Sequence, residues 1–210
     1  FTIRVLSLIM IVPLVGFIIF GKEFYTLWLP DRSNAEIELI QSLSILTVLP
    51  LLVNAYVEGL YYANTLANKI KGSVLISLGF SVISVFTEIL LLYFTSINPL
   101  YIIAGTSSVF LIIRYIIVTP LYSAYVLKLP MLSFYPSLIK ALLVSIIVGI
   151  CFGIVEHNAI INSWKSFFVC CGICGILGYM FVFMALLDHQ ERLKLIHIVR
   201  MRGKNGKNSL

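Results

Sequence analysis

The sequence predicts an all-α membrane protein of six transmembrane helices, and three observations carry that reading. Hydrophobic residues make up 60% of the 210 and charged residues only 11%, where a soluble domain has about a quarter charged. Apolar runs of about twenty residues recur along the chain, the length a helix needs to cross hydrocarbon. Those runs are too long for barrel strands and lack their alternation, so the spans are helices.

The apolar runs place the spans at residues 1–20, 37–62, 73–93, 100–122, 137–155 and 164–187, with short connections and a basic tail over 188–210. Lys and Arg then set the orientation. One set of ends holds Arg4, Lys69, Lys71, Lys128, Lys140, Arg192, Lys194, Arg200, Arg202, Lys204 and Lys207; the other holds only Lys22, Arg32 and Lys165. This bias predicts that both termini are cytoplasmic. It also explains the net charge of +6 without nucleic acid. The tail reads as lying on anionic lipid at the cytoplasmic surface and as disordered after Gly203. Phe1 already sits inside an apolar run, so the chain reads as the C-terminal portion of a longer protein.

The second span organises the rest. Thr47, Asn54, Glu58, Tyr61 and Thr65 recur at helical spacing as a polar stripe, which calls for a bundle interior or a wet cavity rather than lipid. Pro50 removes a backbone hydrogen bond in mid-span. In the third span Ser73, Ser77, Ser81, Ser84 and Glu88 form a second stripe. The fourth carries the deepest charge, Arg114, roughly 12 Å from the basic end. Glu58 lies nearer that surface than Glu88 does, so it reads as the better partner for Arg114. A structural ion pair and a substrate-facing role both remain open.

The loop after the first span, GKEFYTLWLPDRSNAEIE, offers Tyr25 and Trp28 as interfacial anchors and Pro30 and Asp31 as a turn. The fifth and sixth spans read as scaffold without an acidic residue. Gly149 and Gly153, then Gly172, Gly175 and Gly178, suit close helix packing. Cys151, Cys170, Cys171 and Cys174 all fall in apolar runs, and the CxxC of Cys171 and Cys174 reads as packing rather than metal or redox chemistry. His157, His189 and His197 have no ligand-like company. No GxxxxGK[ST], HExxH or GxSxG is present, so no enzyme and no cofactor are expected, and elimination leaves transport.

The ordered set of Pro13 and Gly16 leading to GKEFYTLWLP, the helix ending EGLYYANTLANKIKGS, a span carrying Glu88 and then INPLYIIAGTSSVFLIIRYIIVTPLYSAYVLKLP resembles the C-terminal half of bacterial polysaccharide flippases. These are oligosaccharide repeat-unit exporters of the multidrug/oligosaccharidyl-lipid exporter superfamily. The resemblance implies one lobe of a two-lobe fold of twelve or more helices in the bacterial cytoplasmic membrane, with a missing N-terminal six-helix lobe as partner. It implies alternating-access flipping of a polyprenyl-pyrophosphate-linked oligosaccharide for capsule, O-antigen or exopolysaccharide, among membrane lipids and other polysaccharide-assembly proteins. Arg4 and Arg114 would then neutralise pyrophosphate, and Asn54 and Tyr61 would bond sugar hydroxyls. Glu58 and Glu88 would couple transport to an ion gradient or serve as ion-pair partners. Two alternatives stand beside it: a cation- or proton-coupled drug antiporter of the same fold, and a non-transporting scaffold or truncated fragment.

Overall fold

The structure, a computed structural model, describes residues 2–193 and contains no strand among them. Six helices are long and apolar enough to cross a bilayer, consistent with a multi-pass membrane protein. They are α1 (Thr2–Trp28), α2 (Asn34–Leu66), α3 (Ile70–Phe94), α4 (Pro99–Val126), α5 (Tyr135–Asn158) and α6 (Trp164–Leu186). The predicted tail beyond 193, with Lys194, His197, Arg200, Arg202, Lys204 and Lys207, lies outside the described residues.

Several helices outrun the predicted spans, and at the start of α2 a capping residue, rather than the first apolar one, sets the end. The loop predicted after the first span is largely helix, so Lys22, Glu23, Tyr25 and Trp28 belong to α1. Trp28 is exposed, as an anchor should be, but Tyr25 is buried and its hydroxyl lies 2.7 Å from Ser44 Oγ of α2. Ser33 and Glu36 form a capping box that starts α2 three residues early. Asn68, in the left-handed conformation at φ 53°, turns the chain out of α2. The fifth helix runs to Asn158, which brings Glu156 into its last turn. The expectation of no acidic residue in that helix is therefore corrected.

Around α1 the packing is dense: it contacts α2, α5 and α6, and Ile11, Val15, Tyr56, Val148 and Val182 share one core. Gly178 makes a close approach there, since a methyl group on it would fall 2.9 Å from the Phe152 ring. Gly153, Gly172 and Gly175, predicted as packing positions, meet nothing within 4 Å. A second close approach sits at Gly59, where a methyl group would press on Ile3 of α1. On its other flank α2 packs against α4, and α3 leans on α4 with only Ser73 and Ser84 buried. The apolar side chains of α3 face outward, where hydrocarbon would cover them.

Three prolines lie inside helices, and each frees the carbonyl four residues back. Every one of those carbonyls accepts a hydroxyl from another helix or its start. Tyr179 donates to Ile9 at 3.1 Å (Pro13), Ser108 donates to Leu46 (Pro50), and Tyr135 donates to Ile116 at 3.0 Å (Pro120). Replacement of Ser108 by Ala orphans the Leu46 carbonyl and is expected to cost about 1 kcal/mol of stability. Ser81→Ala removes only a bond from Ser81 to its own helix at Ser77 and is expected to cost much less. Thermal unfolding of the two variants in one detergent checks the difference.

Candidate polar site between α2, α3 and α4

Five of the six predicted site residues converge where α4 breaks its own regularity. From Arg114 to Val118 the helix widens into a π-helical turn, and the Thr119 amide reaches back five residues to the Arg114 carbonyl. Such turns are concentrated at functional sites because the extra residue re-aims neighbouring side chains. Here Tyr115 is buried among the core residues, while Arg114 lines the space between α4 and α3.

Arg114 does not pair with Glu58. Its Nη2 donates to the Tyr115 hydroxyl at 2.9 Å, and its guanidinium carbon lies 4.7 Å from the centre of the Tyr115 ring, a cation–π distance. Its Nε is buried without a hydrogen-bond partner. Glu58 instead accepts from Asn54 Nδ2 at 2.8 Å, one turn earlier on α2. The ion pair drawn from depth alone is replaced because the π-turn points Arg114 at α3. Glu88, read as the poorer partner, shares a cavity of about 210 Å³ with Arg114, Ser84 and Ser107. Its Oε1 accepts from Ser84 at 3.0 Å and from Ser107 of α4 at 2.7 Å.

The α2 stripe divides. Asn54, Glu58 and Tyr61 are half-buried against α4, and the Tyr61 hydroxyl lies 3.4 Å from Thr119 Oγ1. Thr47 and Thr65 are exposed and bond back to Leu43 and Tyr61 of their own helix. On the basic-end side of Arg114 a gap of about 10 Å³, large enough for about one water, is lined by Tyr61, Ser77, Thr119 and Tyr122. Towards the opposite end a wider cleft of about 360 Å³ separates α2 from α4 and includes Thr47, Pro50 and Ser107. Arg114 thus stands between two spaces. Tyr115, Ser107 and Thr119 complete the site and were not singled out in the sequence; a hydroxyl or phenol in an otherwise apolar span was the available signal.

Arg4 lies elsewhere. At the start of α1 it forms ion pairs with Asp188 and, at 2.8 Å, with Glu191, while Lys140 at the start of α5 also reaches Asp188 at 3.4 Å. Asp188 opens the helical turn after α6: its carbonyl accepts from the Arg192 amide, and its own amide donates to Glu191. The hydrogen bond from Arg4, then the charges of Arg4 and Lys140, hold the Asp188 carboxyl below its usual range. No family model, curated protein or solved structure matches the chain.

The direction of the Asp188 shift sets a pH test. A carboxyl held low in the folded state contributes its stabilisation above the ordinary aspartate range and loses it as pH falls through the lowered value. Acidification below that range is expected to release the 188–193 segment from α1, and Asp188→Asn to abolish the dependence. The distance between spin labels at Ile3 and Leu193, followed against pH, reads both.

Proposed function

We propose that this chain forms one lobe of a transporter that flips lipid-linked oligosaccharide repeat units across the bacterial cytoplasmic membrane by alternating access, with its basic end in the cytoplasm. The observation that carries this reading is Arg114: an arginine at mid-span, at the head of a π-helical turn, with Nε unbonded and no carboxylate paired to it. A guanidinium within a membrane span and without an anion is costly in hydrocarbon and is suited to an anionic ligand. A pyrophosphate headgroup supplies that anion and accepts bidentate donation. Asn54 and Tyr61 line the same face with groups suited to sugar hydroxyls. Arg4 is committed to Asp188 and Glu191, so its role in this reading is to hold the basic end closed.

A second reading has its own support. Among the described residues Glu58 and Glu88 take hydrogen bonds only from neutral Asn54, Ser84 and Ser107, an arrangement that also suits a cation-coupled antiporter.

Complementation tests both. The full-length gene is expressed in a bacterium lacking its repeat-unit flippase, and surface polysaccharide is measured at matched protein level. Arg114→Ala is expected to lower it by about tenfold or more, the scale of a lost charge-assisted bond, and Arg114→Lys to retain part of it. Unchanged polysaccharide in Arg114→Ala would remove the proposal. Export of cationic dyes that fails in Glu58→Gln or Glu88→Gln would establish the antiporter instead.

A further inference from the structure

A further cavity lies on the opposite flank of the molecule, away from Arg114. It is a groove of about 410 Å³ between α1 and α6, lined almost wholly by apolar groups that include Val12, Phe17, Phe20, Phe152 and Cys174. Two of its other lining residues, Pro13 and Tyr179, are exposed, so the groove opens sideways onto the surface that hydrocarbon would cover. Near the less basic end it closes on a cluster of rings. Phe24 sits 5.6 Å from Trp28, 5.9 Å from Trp164 and 6.1 Å from Phe167.

Just beyond that end, outside the apolar lining, stand two carboxyls. Glu23 lies one turn beyond Phe20 on α1 and Glu156 one turn beyond Phe152 on α5, and the two rings below them are 6.1 Å apart. The two carboxyls are close enough to interact. Glu23 Oε2 is buried and lacks a donor. Lys22, the neighbouring cation, gives its ammonium to Glu38 at 2.9 Å. Two carboxyls so close repel when both are ionised; a proton shared between them relieves this, and so does a cation that brings N–H groups to the orphaned oxygen. The level is that of lipid headgroups, because Trp28 ends α1 and Trp164 begins α6.

We propose that the α1–α6 groove holds a membrane lipid whose headgroup carries a primary ammonium, with an acyl chain along Val12, Phe17 and Phe20 and the ammonium donating to Glu23 and Glu156. An apolar groove with two carboxyls one turn beyond its end matches the two halves of that molecule. An anionic headgroup meets repulsion from the carboxyl pair. A quaternary ammonium carries charge but has no N–H for the orphaned oxygen. Neither the site nor its test depends on the transport reading.

Native mass spectrometry of the full chain tests this after equilibration with equal amounts of phosphatidylethanolamine, phosphatidylcholine and phosphatidylglycerol. Phosphatidylethanolamine is expected to be retained above the other two. Glu23→Gln with Glu156→Gln is expected to lower its retention relative to phosphatidylglycerol by about tenfold, the scale of lost bonds to a charged donor. Glu156→Gln alone should give part of that loss. Gly175→Leu places a side chain where nothing lies within 4 Å, so it fills the groove and is expected to reduce retention of all three lipids. Equal retention of phosphatidylcholine, preference for phosphatidylglycerol, or an unchanged ratio in the double Gln variant would each overturn the proposal.

Discussion

The structure depends on keeping every backbone carbonyl bonded in a setting that offers no water. A proline inside a helix leaves one carbonyl without its amide, and in hydrocarbon that deficit costs more than it does in solution. Tyr179, Ser108 and Tyr135 each bring a hydroxyl to such a carbonyl, and in doing so they tie α6 to α1, α4 to α2 and the start of α5 to α4. Three breaks in helix continuity thereby become three contacts between helices. Tyr122 extends the device to a helix boundary by donating to the Lys69 carbonyl just before α3.

This arrangement divides the bundle by rigidity. Around α1 the contacts are apolar and close, with Gly178 and Gly59 letting helices approach. Around α4 clefts open towards α2 and α3, and beside apolar contacts the helices there also meet through Ser, Thr and Glu side chains. A polar, cleft-bearing contact between helices separates at lower cost than a dry one, because its groups can rebond to water or ligand. The π-turn of α4 places Arg114 at the edge of that region, in the space between α4 and α3.

The charges follow the same division. Arg4, Lys140, Asp188 and Glu191 form a compensated network at the basic end. Glu58, Glu88 and Arg114 lie within the span without forming ion pairs with one another, each held by neutral or aromatic neighbours. Compensated charge suits a structural clasp, and uncompensated charge held in place suits a site that awaits a ligand.

Residue order alone determined the six helices, because twenty apolar residues in a row leave the backbone no other way to bond itself in lipid. It also determined that Asn54, Glu58, Tyr61, Glu88 and Arg114 are set into apolar spans, since 3.6-residue spacing groups them without knowledge of neighbours. Helix ends were less legible, as at Trp28 and Asn158, where capping and aromatic packing extend a helix past its last apolar run. Only the tertiary structure decided which charges meet. Depth along a helix pointed Arg114 towards Glu58, but one extra residue in the π-turn rotates everything around it by about a quarter turn. That rotation sets Arg114 beside Tyr115 and the Glu88 cavity. The closeness of Glu23 to Glu156, residues 133 positions apart in the sequence, was likewise decided by packing, because no local spacing relates α1 to α5.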